Sequence, residues 1–214
     1  MFGRGKRIAL LAVAAATVLG TGVTDAAAAA GFTVTAGSAT SGSAQFTGKP
    51  AGSPSPVFKN LSTGANATCS TSTVSGVMQL GTGLPGANLG KIVGSTYAGC
   101  VLNPSASAVT ITQSGSVPPW SFNAISETGG VTTAVVSGIV LVVSSSGCSF
   151  TLAGNADATY TNSGGQLAYH YAGHALTVSG VTGCSGAWTS GNQVAFETPA
   201  PYIVSTPTGP IVII

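Results

Sequence analysis

Beyond residue 30 the chain alternates apolar and polar side chains with a period of two. Phe32 and Val34 alternate with Thr33 and Thr35, and Val109 and Ile111 with Thr110 and Thr112. Leu167, Tyr169 and Tyr171 are interleaved with Ala168 and His170, Leu176 and Val178 with Thr177, and Val194 and Phe196 with Ala195. This period sends successive side chains to opposite faces of a strand, and outward threonine is a good strand former. No segment past residue 30 carries the i, i+3, i+4, i+7 apolar stripe of an amphipathic helix. Gly and Pro break the pattern at short intervals, at residues 81–90, at Pro104, at Pro118-Pro119 and at residues 199–201. Many short strands so punctuated predict one all-β domain, an antiparallel β-sandwich with a closed β-barrel as the alternative.

Two segments depart from simple alternation. Residues 131–143 form a Val/Ile-rich run that fits strands buried on both faces and is too short for a membrane span. Residues 31–56 are rich in Gly, Ser and Pro, with only Ala44 and Phe46 hinting at a second strand after Phe32 and Val34. They read as an arm or a loop packed over the sheet, leaving 57–214 as the disulfide-stapled β-domain. The turn signal Asn162-Ser163-Gly164-Gly165 fixes a hairpin register in which Tyr160 faces Leu167, Thr159 faces Ala168 and Asp157 faces His170.

Residues 1–30 read as a secretory signal peptide. Arg4, Lys6 and Arg7 precede an apolar core at residues 8–19, and a run of alanines offers cleavage at Ala28, Ala29 or Ala30. Past the alanines, charge nearly vanishes. Only Lys49, Lys59 and Lys91 stand against Glu127, Asp157 and Glu197, with no Arg. A chain so poor in cations is ill suited to nucleic acid, which is bound by displacing counterions with several Lys or Arg. The expected location is extracellular, in the medium or at the cell surface, with no membrane span in the mature protein.

Four cysteines in an exported chain read as two disulfides. Three connectivities exist. Local closure and the echo between the segments around Cys69 and Cys148 favour Cys69–Cys100 and Cys148–Cys184, each closing a loop worth about 3–4 kcal/mol by chain entropy. The same echo raises a duplicated, disulfide-closed β-unit. The Cys spacings match no zinc module, and no cofactor is expected.

Candidate chemistry is sparse. His170 and His174 have an i, i+4 spacing, but on a strand that places them roughly 13 Å apart, too far for one ion. Asp157 opposite His170 is either a base–orienter pair lacking a nucleophile or a cross-strand polar pair. Three scattered acids make a poor paired-carboxylate glycosidase. The aromatic residues Tyr160, Tyr169 and Tyr171 share one face of the hairpin, and Trp120 and Trp188 are the two tryptophans. Trp120, Trp188, Tyr169 and Tyr171 are the candidate platform for a carbohydrate or hydrophobic ligand, with core packing as the alternative use.

From Thr68 onward the chain resembles the alkane-oxidation activator (PraB-like) family of small exported β-proteins, and actinobacterial secreted proteins like them. The resemblance rests on Ala67-Thr68-Cys69-Ser70-Thr71, on the strand from Val93 to a second cysteine at Cys100, on Pro119-Trp120, on Gly147-Cys148 and on Cys184 with Gly186. It implies an exported accessory or surface protein tied to growth on hydrophobic substrates, and offers no catalytic residues. The expectation is therefore a non-enzymatic structural, adhesive or accessory protein that self-associates or contacts the cell envelope or a hydrophobic surface. The alternatives are a binding module for a hydrophobic or carbohydrate ligand and, third, a secreted hydrolase.

Overall fold

A computed structural model describes residues 31–114, 118–184 and 186–214. The signal peptide and its cleavage site lie outside the described residues. Among the described residues sixteen strands follow one another: β1 (Phe32–Ala36), β2 (Gly42–Pro50), β3 (Val57–Asn60), β4 (Asn66–Thr68), β5 (Thr71–Leu84), β6 (Gly90–Ala98), β7 (Cys100–Asn103) and β8 (Ser107–Gln113). The second half holds β9 (Trp120–Thr128), β10 (Val131–Ser144), β11 (Ser149–Thr161), β12 (Gln166–His170), β13 (Leu176–Thr182), β14 (Gln193–Glu197), β15 (Tyr202–Ser205) and β16 (Ile211–Ile213). All pairings are antiparallel, and the described residues contain no helix long and apolar enough to cross a membrane.

The pairing closes on itself twice. One circuit runs β10–β9–β6–β5–β2–β15–β12–β11 and returns to β10. The other runs β10–β8–β7–β4–β3–β14–β13–β11 and returns to the same β10. Two eight-stranded rings therefore share the long β10–β11 hairpin, the closed form of the expected all-β fold. Closure removes free sheet edges within each ring. β10 changes partner where its ladder slips between Val136 and Ile139, with Gly138 at φ 75° in the slip. Up to Ser137 it pairs with β9, and from Leu141 with β8.

The first ring is filled. Phe46, Met78, Ile92, Phe122, Tyr160, Leu167 and Val204, one from each of seven of its strands, meet around a residual void of about 10 Å³. Ile211 of β16 joins them. β16 pairs with β1, and β1 with the far end of β5 at Gly81 and Leu84, so the terminal strands close this ring's end. The remaining edge of β16 is occupied by Asn162, whose amide donates to the Ile213 carbonyl and accepts from its N–H, at 2.8 and 2.9 Å.

Two expectations are corrected here. Residues 31–56 are not an arm or loop outside the domain, because β2 is a wall of the first ring. Ala44 and Phe46 point inward, and between β5 and β15 only glycine fits at Gly48, where a Cβ would lie 2.9 Å from Val74 Cγ2. The 131–143 run is not buried on both faces. It is one strand with an inner face of Ala134, Val136, Leu141 and Val143 and an outer face on which Val131 and Val142 stay exposed, as a wall with a single core behind it requires.

Both disulfides form as expected, Cys69–Cys100 and Cys148–Cys184. Their placement is equivalent. Cys69 precedes β5 and Cys100 follows its neighbour β6, where Thr71 pairs with Ala98. Cys148 precedes β11 and Cys184 follows its neighbour β13, where Ser149 pairs with Thr182. Each bridge staples the open end of a two-strand ladder, which gives the sequence echo a structural counterpart.

Candidate functional site

The aromatic candidates lie mostly in the core. Tyr169 stacks on Phe196 with centroids 4.2 Å apart and planes 7° apart, Phe196 stacks on Phe58 at 4.7 Å, and Tyr97 and Tyr202 meet the ends of this row edge-on. Trp120 is fully buried, and Trp188 is buried against Phe150 at 4.7 Å. The hairpin register explains Tyr169 and Tyr160: they share the inward face, where aromatic surface gains most from burial. Trp120, Trp188 and Tyr169 are thus no surface platform. Tyr171 lies just past β12 and is 48% exposed, so only it presents a ring to solvent among these candidates.

The hairpin turns where expected, and Asp157 faces His170 in the ladder. The carboxylate nevertheless bonds elsewhere. Its Oδ2 accepts from the N–H groups of Ala172 and His174 at 2.7 and 2.9 Å, and its Oδ1 lies 2.6 Å from His174 Nδ1. An ionised carboxylate only accepts, so that ring nitrogen donates. Burial opposes ionisation of Asp157, but the hydrogen bonds from the His174 backbone and ring and from Ala172 outweigh it and hold the carboxyl below its usual range. The acid–histidine pair is therefore Asp157–His174, not Asp157–His170. Both carboxylate oxygens are engaged in fixing residues 172–174, the work of a loop clamp.

Two surface features were not visible in the sequence. The first is a cross-strand row on the outer face, Thr73–Thr96–Thr112–Val142–Thr151–Ser179, in register across β5, β6, β8, β10, β11 and β13. None of the six is buried and none is ionisable. Beside it, Thr110, Ser144, Ser149 and Thr182 form a second uncharged row. All six charges of residues 31–214 lie outside these rows. Elsewhere on the outer wall, ladder irregularities at Val93 in β6 and Ile125 in β9 coincide with exposed apolar side chains, 52% and 61% accessible.

The second feature is the mouth of the second ring, where the β3–β4, β7–β8, β10–β11 and β13–β14 connections converge. A groove of about 440 Å³ runs between the β7–β8 and β10–β11 turns and the segment after β13, along the Cys148–Cys184 bridge and over the buried Trp188. A second groove of about 480 Å³ adjoins it across Asn103, Pro104 and Ala187 and reaches the β3–β4 turn. The walls are tied together. Asn60 donates to the Ala187 carbonyl and to Asn192 Oδ1 at 3.0 and 2.9 Å, Thr63 donates to the same carbonyl, and Asn103 donates to Asn66 Oδ1 at 2.9 Å. No family model matches the chain, and no curated protein or solved structure matches it either.

Proposed function

We propose that this is a non-enzymatic exported protein, secreted or held at the cell surface, that works through its outer β-face in a structural, adhesive or accessory role. The observation that carries this reading is the uncharged row from Thr73 to Ser179. It offers β-branched methyls and hydroxyls at a spacing of about 4.8 Å between strands, with no charge to repel a neutral or apolar surface. The filled first ring supports action from outside rather than through an internal ligand. The resemblance to exported alkane-oxidation activators points the same way. The test is to fractionate the native culture and measure retention on cells and on a hydrocarbon–water interface for the wild-type protein and for Thr112→Lys with Thr151→Lys. Retention that the two lysines abolish while the fold persists supports the reading. A protein found only in free medium, with no affinity for either surface, overturns it.

A second reading, an extracellular binding module, is favoured by the tethered groove at the mouth of the second ring.

A further inference from the structure

We infer that the mouth of the second ring binds a neutral saccharide. The inference rests on the binding-module reading and is independent of the outer face.

The lining selects the ligand class by its chemistry. Among the described residues that form the two adjoining grooves, none is Lys, Arg, His, Asp or Glu. An anionic ligand would find no counter-charge there, nor would a cation find a carboxylate. What the walls offer is hydrogen bonding: the amides of Asn66 and Asn103, the hydroxyl of Ser107, acceptor lone pairs on Thr63 and Ser105, whose own hydrogens go to the Ala187 and Leu102 carbonyls, and backbone at glycines. Asn66 and Asn103 are bonded to each other through one N–H and one oxygen, and a primary amide carries a second N–H and further acceptor capacity. Two such amides side by side match the adjacent hydroxyls of a sugar ring. Pro104 and Ala187 supply apolar surface for its C–H faces.

A peptide fits less well. Peptides add to barrels and sandwiches chiefly as an extra strand on a free edge. Here β3, β4, β7 and β8 are each hydrogen-bonded on both sides, so the mouth has no such edge to offer. The volumes lie within the range of small-ligand sites, roughly 300–1,000 Å³, and their continuity across Asn103 and Ala187 accommodates more than one sugar unit. The walls are preorganised by the Cys148–Cys184 bridge, the Asn60 clamp and the Trp188–Phe150 stack, which lowers the ordering cost of binding.

The experiment screens the disulfide-bonded protein against immobilised neutral oligosaccharides of glucose, mannose, galactose and N-acetylglucosamine. Uronic-acid and sialylated oligosaccharides and a library of capped uncharged tetrapeptides complete the panel. Hits are titrated with Trp fluorescence, because Trp188 lines the groove. The expected result is saturable binding of at least one neutral saccharide, unchanged between about 50 and 500 mM salt. Asn66→Ala and, at the exposed β10–β11 turn, Ser146→Trp should each weaken it by about tenfold or more, with unfolding midpoints near wild type. Thr112→Lys with Thr151→Lys should leave it intact, which separates this site from the outer face. Binding confined to acidic glycans or peptides overturns the inference. So does no saturable neutral binding up to about 5 mM, or binding that both groove variants leave untouched.

Discussion

Asp157 stands opposite His170 in the β11–β12 ladder, yet its carboxylate is bound by His174, four residues further on, at 2.6 Å. The chain leaves β12 at His170 and folds back over the strand end, so the carboxylate meets the backbone of residues 172–174 rather than the histidine beside it. The two members of the ladder pair therefore differ in consequence. Replacing Asp157 by Ala leaves two backbone N–H groups and one ring N–H without their acceptor, and costs about 1–3 kcal/mol. His170→Ala costs less than about 0.5 kcal/mol. Chemical denaturation of the two variants checks this ordering.

The same clamp sets a pH dependence. The folded carboxyl of Asp157 titrates below its unfolded value, so its contribution is complete above about pH 4 and is lost as pH falls through the folded pKa. Unfolding midpoints of wild type and Asp157→Asn measured down the acid limb should converge there. A gap that stayed constant to the lowest pH would refute the ionic origin of the clamp.

The two bridges predict a redox asymmetry. Cys69 and Cys100 are buried, whereas Cys148 and Cys184 are partly exposed and line the open groove. Exchange requires a thiolate to reach a sulfur, so access orders the rates. Under limiting reductant followed by alkylation and peptide mapping, Cys148 and Cys184 should be labelled first while the far-UV spectrum still reports strand. Loss of either bridge should then cost about 3–4 kcal/mol. Labelling of Cys69 and Cys100 first would contradict the burial argument.

What could be read in advance was local. Alternation located Phe32, Ile111, Leu176 and Phe196 on buried positions, and the Asn162-Ser163-Gly164-Gly165 turn fixed three residue pairs of β11 and β12. Cysteine pairing followed from short closure. What could not be read depends on contacts between distant segments. The strand β2 has weak local signals because its Gly48 is a glycine for reasons of close approach to Val74, and a glycine in isolation reads as a loop. Ring closure places β10 between β9, β8 and β11, which no periodicity encodes. The Thr73 to Ser179 row draws one residue from each of six strands, so each threonine alone looked like ordinary outward polarity. The burial of Trp120 and Tyr169 was among the readings open from composition, and packing decided it.

Tyr169 and Tyr202 meet edge-on in one core and yet should respond oppositely to loss of a hydroxyl. The Tyr202 hydroxyl lies 2.7 Å from Ser72 Oγ, while the Tyr169 hydroxyl is buried with no hydrogen-bond partner among the described residues. Burial pushes the Tyr202 phenol up to about 12, and burial raises that of Tyr169 as well. Tyr202→Phe should cost about 0.5–1.5 kcal/mol, and Tyr169→Phe should be neutral or stabilising because it removes an unmet polar group. Tyr169→Ala, which removes the stack on Phe196, should cost about 3–5 kcal/mol. Equilibrium denaturation of the three variants distinguishes packing from hydrogen bonding at this spot.

Gly76 tests whether the first ring is a closed unit. It sits where the β5–β6 ladder slips, paired to Phe46 on β2 and Ile92 on β6. A Cβ there would lie 2.2 Å from the Lys91 carbonyl oxygen and 2.4 Å from the Phe46 ring. The Phe46 ring is buried in the core of the first ring, and the carbonyl, which is backbone, belongs to a strand held by β5 and β9. An open sheet would relieve the clash by letting an edge strand drift. A closed ring has no such freedom, because moving β6 strains its pairing on both sides. Gly76→Ala is therefore expected to destabilise by more than about 3 kcal/mol or to prevent folding. Gly64→Ala, with open space around the Cβ and a φ of 76°, should cost only about 1 kcal/mol through its backbone conformation. Comparable stability of the two variants would mean that β2, β5 and β6 do not form a closed wall.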